Sequence, residues 1–436
     1  MSTPERRLHL VQFIGGAQGV YDSWADPTER TLAYYQRVAQ HAEKEGLLSL
    51  FIADNSMLLR DGDLSTLGAL EPITLFSALA AVTERIGLIA TVSTTYWEPY
   101  NLARLVATLD QLSDGRAGWN AVTSFRGEQN FGFGDIPDPE TRYARATEFV
   151  EVVLKLWDSW SPAAIKTDTG GARAYSDGAQ IRDIEHVGPH FSVRGALDVP
   201  RSKQGRPLLA QAGASDLGRR LGATYADLIY TAEPTWDSAS EFVRGLRSHA
   251  AAAGRPNGLP AILTGLNSTF ASTTEEGERL KWQKVEAYGV ERAVQTLSRH
   301  LGDADLTGID LDDAIPAERL PDVASVRRRQ GRFGVLAHLA TEERRPLREM
   351  LFAGVHWGHW TEVGDPGQIA DRVQARYEAH LTDAITVGTP QDETQRDVLW
   401  QEFVPELVRR GLFEPGYRGR TLRENLFGAR TDAEGS

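Results

Sequence analysis

GRAGWNAVTSFRGEQNFGFGDIPDPETRY, residues 115–143, runs from an apolar strand into a strongly polar loop. Residues 117–122 read as a short buried strand that carries Trp119 and Asn120, and Thr123, Ser124, Arg126, Glu128, Gln129 and Asn130 follow within eight positions. A loop of that composition is built for binding, not for filling a core. In β/α barrels and open parallel sheets the chemistry sits on loops leaving the C-terminal ends of the strands.

Working outward, strand and helix patterns alternate. Leu8 to Ile14 reads as a first strand ending at Gly15-Gly16, a helix follows over about 29–45, and LLSLFIAD (47–54) is a second strand closing on Asp54. A helix over 71–83 leads into IGLIATVSTT (86–95), whose apolar run suits a parallel strand covered on both faces. Leu102, Ala103, Val106, Leu109 and Leu112 then recur at helical spacing before the opening stretch, and 142–156 forms another periodic helix. The alternation resumes with strands at 206–215, 226–231 and 261–270 and a weak eighth at 385–387. The expectation is an α/β fold, a (β/α)8 TIM-like barrel forming a single domain over 1–436. Two insertion regions interrupt it, a Gly-, Asp- and Pro-rich one at 158–206 and a mainly helical one at 275–360 with the charged run VRRRQGR at 326–332.

Composition narrows the chemistry. At 41% hydrophobic and 25% charged the chain reads as a soluble globular protein, and a net charge of -13 gives no general reason to bind nucleic acid or an anionic membrane. The absence of cysteine excludes disulfides, thiolate metal sites and a cysteine nucleophile. No secretory leader or membrane span is expected, and a cytoplasmic location fits. His186 and His190, or His356 and His359, lack the surroundings of a metal motif, so no metal site is expected. Neither Ser124 nor Ser215 sits in a nucleophile elbow.

The candidate binding residues fall after separate strands. Asp54 could orient a ligand donor or simply cap a helix. Thr94 and its neighbouring hydroxyls carry the same ambiguity. Asn120, Thr123 and Ser124 can satisfy the polar edge of a cofactor without imposing charge. Tyr143 reaches toward a phosphate or packs on its helix. In QAGASDLGRR (211–220) a strand ends at Gly213-Ala214, and Ser215 and Asp216 open a helix whose N–H groups suit a phosphate; an ordinary turn is the alternative.

Several stretches together carry a resemblance: EPITLFSALAAVTERIGLIATVSTTYWEPYNLARLVATLDQLSDGRAGWNAVTS (71–124), NFGFGD (130–135) with RYARATEFVEVVLKLWDSW (142–160), QGRPLLAQAGASDLGRRLGATYAD (204–227), and EFVPELVRRGLF (402–413) with YRGRTLRENL (417–426). The chain resembles the flavin-dependent monooxygenases of the bacterial luciferase-like superfamily, within it the nitrilotriacetate and dibenzothiophene-sulfone monooxygenase group.

That resemblance implies a barrel that takes FMN as FMNH2 from a separate NAD(P)H-dependent flavin reductase. Oxygen would add at the flavin C4a position, and one atom would pass to a small organic substrate. It also implies a homodimer or homotetramer. Asp54 would lie beside the flavin ring, Asn120 and Ser124 would contact its polar edge, and Tyr143, Gly213, Ala214, Ser215 and Asp216 would hold the phosphate. The resemblance breaks at Phe125, where many members carry His after the Thr-Ser pair, and at HLTDAITVGTP (380–390). Arg126, His338 and His359 are the replacement candidates for a catalytic role. A reduced-deazaflavin oxidoreductase and a non-catalytic flavin-binding protein are the competing readings.

Overall fold

The computed structural model describes residues 6–14, 31–54, 56–57, 70–124, 126–132, 134–166, 175–255, 258–322, 325–326, 330–388, 390 and 392–428. Its strands are β1 (His9–Phe13), β2 (Ser49–Ile52), β3 (Gly87–Ser93), β4 (Ala117–Val122), β5 (His186–Val187), β6 (Ser192–Val193), β7 (Leu208–Ala212), β8 (Leu228–Thr231), β9 (Ala261–Thr264), β10 (Leu266–Phe270), β11 (Trp360–Gly364) and β12 (Ala384–Val387). Eight of them close a parallel barrel in the order β1-β12-β9-β8-β7-β4-β3-β2, with β2 returning to β1. The weak eighth strand expected at 385–387 thus closes the barrel: it is fully buried between β1 and β9.

Alternation along each strand divides two cores. Val11, Phe13, Phe51, Ile89, Leu208, Ala210, Leu228, Leu263 and Ala384 form one buried cluster, the barrel interior. The alternate positions, among them Leu10, Leu50, Ile52, Leu88, Ala90 and Trp119, join the surrounding helices. The interior is sealed at its N-terminal end by Leu422 and Leu426 of the helix Leu422–Phe427. Contact there is close: a methyl on Gly87 would lie 2.4 Å from Leu422 Cδ1 and 3.0 Å from Ser49 Cβ. With this end plugged, access to the interior is from the C-terminal ends of the strands.

The 158–206 region folds around the antiparallel pair β5–β6. Glu148 on the helix Pro139–Trp157 ties it down, accepting from His186 Nε2 at 3.0 Å and from the backbone N–H groups of His190 and Phe191. The 275–360 region contributes the helices Thr274–Tyr288, Val290–His300, Gln330–Thr341 and Leu347–Val355, which bury their own apolar cluster around Leu297, Leu336, Met350 and Leu351. One expectation needs correcting. Residues 261–270 are two strands, because β9 leaves the barrel at Gly265 and β10 pairs with β11, which the sequence pattern did not signal. Gly265 has no room for a side chain: a Cβ there would stand 2.4 Å from Tyr230 Oη and 2.7 Å from His359 Cδ2. No described helix is long and apolar enough to cross a membrane.

Candidate active site at the barrel mouth

The β3–β4 register places Thr91 opposite Asn120 and Ser93 opposite Val122. These positions have the inward parity of Ile89, so amide and hydroxyl groups stand inside an otherwise apolar barrel. Asn120 is 2% exposed; its Nδ2 donates to Thr91 Oγ1 at 2.9 Å, and its Oδ1 is buried without a partner. A buried orphan acceptor costs about 1–3 kcal/mol, and a ligand N–H would relieve it. Just above, Ser124 Oγ donates to Ser93 Oγ at 2.7 Å, and Ser124 N donates to Thr95 Oγ1 at 3.1 Å. Thr94 is placed differently: its hydroxyl donates to the Val122 carbonyl at 3.1 Å and so pins the β3 and β4 ends together. Asp54, half-buried, follows β2 at the same end of the barrel. Arg126 is half-buried in the loop after β4, where its carbonyl accepts from Tyr96 Oη at 2.8 Å. Phe125 lies outside the described residues.

A second wall forms where β7 ends. A Cβ on Gly213 would stand 2.6 Å from the Gln211 amide, 3.1 Å from Gly218 Cα and 3.1 Å from Tyr143 Oη. The missing side chain therefore brings the Tyr143 hydroxyl, the strand end and the next helix to one point. Ser215 caps the helix Asp216–Tyr225, accepting from Gly218 N at 3.2 Å. The remaining N–H groups of that first turn, with the helix dipole behind them, form an anion cradle. The Asp216 carboxylate is exposed and turned toward His249 Nε2 at 2.8 Å, a hydrogen bond that holds it below the usual carboxylate range. Any part Asp216 plays at the cradle is thus through its backbone.

The third wall was anticipated only at His359. Phe13 and Phe51 stack at 5.6 Å, Tyr230 stacks on Phe51 at 5.6 Å, and His359 lies 5.9 Å from Tyr230. His359 is buried, with Nδ1 2.8 Å from the His356 carbonyl. Arg332, from the first turn of Gln330–Thr341, brings Nη1 to 3.5 Å from the same ring nitrogen. The third catalytic candidate, His338, is half exposed, 3.9 Å from Glu343 Oε1, and lines a cleft of about 520 Å³ that it shares with the cradle residues Ala214, Ser215 and Asp216 and with Arg219 and Glu233. Among the described residues no cluster of three or more His, Asp and Glu could hold a metal.

The site thus offers a neutral polar edge inside the barrel, an anion cradle at one side and an aromatic wall between. A luciferase-like monooxygenase model matches residues 13–383. The chain belongs to that family. It is 35% identical to N-acetyl-S-(2-succino)cysteine monooxygenase of Bacillus subtilis (strain 168), covering 98% of each chain. With nitrilotriacetate monooxygenase component A of Aminobacter aminovorans it shares 36% identity over 95% of each. The solved structure of an EDTA monooxygenase from Chelativorans sp. BNC1 superimposes with a TM-score of 0.78 at 30% identity, covering 97% of this chain and 98% of that one. The chain is an FMN-dependent monooxygenase. The residues fit the flavin: an orphan acceptor suits a ring N–H, and the Gly213–Ser215 turn suits the phosphate.

Residues that the sequence reading missed are Tyr230, Gln211 and Arg332. Tyr230 is placed at inward parity near the strand end only by its register against Ala212. Arg332 was visible only as the last residue of a charged run.

Proposed function

We propose that this enzyme takes its flavin already reduced from a separate NAD(P)H:flavin reductase and oxidises a small organic substrate with O2 at the barrel mouth. The observation that carries the reading is the unpartnered Asn120 Oδ1, buried beneath the mouth with the Gly213–Ser215 turn to one side. One of the relatives is itself named as component A of its monooxygenase, which supports a division between oxygenase and reductase.

Bound there, reduced FMN would supply the electrons that activate O2. The chain's own groups do the positioning. Asn120 and Ser124 hold the polar edge of the ring, with Asp54 beside it. Tyr143 and the backbone of Gly213, Ala214, Ser215 and Asp216 hold the phosphate. Phe13, Phe51 and Tyr230 keep water from the reacting centre. Of the catalytic candidates, His359 stands in the aromatic wall and Arg126 in the loop after β4; His338, half exposed in the cleft on the phosphate side, is the least suited to touch substrate. We further propose that the enzyme works in the cytoplasm as a homodimer or homotetramer.

The test is isotopic. With reduced FMN delivered by a flavin reductase under 18O2, and N-acetyl-S-(2-succino)cysteine, nitrilotriacetate and dibenzothiophene sulfone as probes, one labelled atom should enter product and the other water. Protein saturated with reduced FMN that turns all consumed O2 into hydrogen peroxide with every probe would sink the proposal.

A further inference from the structure

Arg332 is the cation of the mouth that the monooxygenase reading leaves without a task. It sits in the first turn of Gln330–Thr341, delivered by the insertion and not by a barrel strand. Its neighbour Gly331 fixes where that turn lies: a Cβ there would be 3.4 Å from Ala214 Cβ and 3.4 Å from Ser215 N. The Arg332 side chain then runs toward the ends of β8 and β9, where Tyr230, Gly265 and His359 meet.

No carboxylate among the described residues lies within ion-pairing distance of this guanidinium. Its polar contact is the 3.5 Å approach of Nη1 to His359 Nδ1. That nitrogen is itself 2.8 Å from the His356 carbonyl, the geometry of an N–H donating to a carbonyl oxygen. A ring nitrogen carrying that proton cannot also accept from Arg332. The guanidinium, a planar fork of five donors, therefore faces the mouth with its hydrogen-bonding capacity uncommitted. Burial lowers its affinity for its proton, and Tyr230 and Glu233 nearby restore only part of it. Glu233 is no counter-ion at contact distance: it is buried, accepts from Thr231 Oγ1 at 3.1 Å, and burial raises its own pKa. A partly desolvated arginine without a paired anion is costly to keep, and an incoming anion offsets that cost.

We propose that Arg332 is a specificity-determining residue that binds a carboxylate of the substrate through a two-pronged, charge-assisted hydrogen bond, so that the substrate is a small organic carboxylate. The inference rests on the monooxygenase reading above. The other anion that could reach the mouth is the flavin phosphate, which already has the Tyr143 hydroxyl and the Ser215-capped helix N-terminus at the end of β7, the strand next to β8. The carboxylate commitment follows from that division: the phosphate cradle is built from β7, while Arg332 is aimed past it at the aromatic wall over β8 and β9. One carboxylate docked there would present the remainder of the substrate to the space between Tyr230 and the flavin edge. Arginine suits this task better than lysine, because its fork matches both carboxylate oxygens and fixes orientation as well as charge.

The experiment uses the full-length protein saturated with oxidised FMN. N-acetyl-S-(2-succino)cysteine and nitrilotriacetate are titrated calorimetrically, each against its neutral trimethyl ester, with wild type, Arg332→Gln and Arg332→Lys. FMN and riboflavin affinities are measured on the same three proteins by fluorescence quenching, and folding by thermal melting. Wild type should bind at least one triacid more tightly than its ester, and Arg332→Gln should weaken that triacid by about 10- to 100-fold. The esters should change by less than about threefold, Arg332→Lys should recover part of the loss, and both flavin affinities should be unchanged. Two results would overturn the inference: triacid binding indifferent to Arg332, or absent from wild type; and loss of FMN but not riboflavin affinity in Arg332→Gln, which would assign the guanidinium to the flavin phosphate. Failure of the monooxygenase reading shows separately, as wild type that takes up reduced FMN yet incorporates no labelled oxygen into any probe.

Discussion

Gly213→Ala tests the proposed phosphate cradle most directly, because the added methyl would strike three identified groups. The new Cβ would be 2.6 Å from the Gln211 amide, which must retreat by about 0.8 Å to reach an ordinary 3.4 Å contact. An amide end can swing at modest cost. The other two contacts are less forgiving: Gly218 Cα, at 3.1 Å, belongs to the first turn of the helix Asp216–Tyr225, and Tyr143 Oη, also at 3.1 Å, is the hydroxyl assigned to the phosphate. Each must give by a few tenths of an ångström, which separates the tyrosine from the helix N-terminus that shares its ligand. Overpacking of this kind costs about 1–3 kcal/mol in stability. Losing one charge-assisted phosphate contact costs about 1.5–3 kcal/mol, or roughly 10- to 100-fold in affinity. Riboflavin, with the same ring but no phosphate, separates the two effects. In fluorescence-quenching titrations FMN affinity should fall by that factor while riboflavin affinity stays within about threefold. Equal losses for both flavins, or a variant that binds FMN as wild type does, would refute the assignment of the Gly213–Ser215 turn to the phosphate.

Two further outcomes are expected. Asn120→Leu removes the orphan acceptor, along with the hydrogen bond to Thr91, so riboflavin and FMN affinity should both drop about tenfold or more in a variant shown by thermal melting to be folded; undiminished affinity would show that the amide does not touch the ring. Asp110, fully buried beneath the barrel, has its pKa pushed up to about 6 by burial, an effect that hydrogen bonds from Ser202, Ala117 N and Gln204 only partly offset. Between the ordinary carboxylate value and about 6 the folded protein holds a proton that the unfolded chain has released, so this residue makes stability fall as pH rises through that window, by about 3 kcal/mol in total, and adds no slope above it. Urea midpoints of wild type and Asp110→Asn from pH 4 to 7 should therefore diverge in that window, with the variant losing less; parallel curves would contradict the assigned shift.

The barrel and its flavin half are legible in sequence because both are local. Ile89, Thr91 and Ser93 on β3, and Gly118, Asn120 and Val122 on β4, alternate with residues that face the helices, so polar groups at inward parity stand out against an interior that otherwise reads Val, Leu, Ile and Phe. The Ser215 cap and Gly213 likewise announce themselves within a few residues of a strand end. Thr94 shows the limit even here, because only coordinates reveal that its hydroxyl is bonded to Val122. Strand β8 gave less warning: Tyr230 reads as one more apolar residue until its register against Ala212 sets it at the mouth.

The substrate half is written at long range. His359 and Arg332 reach the barrel only because β10 and β11 pair Leu266 with Trp360, a register that closes over more than ninety residues of chain and that no hydrophobic period encodes. Gly265 is the hinge of this arrangement: it ends the barrel strand, starts the departing one, and leaves room for Tyr230 and His359 to approach each other. The two halves are thus separable in their physical origin. Replacing the Arg332 side chain leaves the β3, β4 and β7 ends in place, whereas the neighbouring Gly331 packs on Ala214 and Ser215 and ties the insertion to the proposed phosphate turn. Changes at Asn120 or Gly213, by contrast, are expected to strike the proposed flavin site directly. Divergence in substrate on a constant flavin site is what such an arrangement permits, since Arg332, proposed to choose the substrate, comes from the insertion and not from a barrel strand.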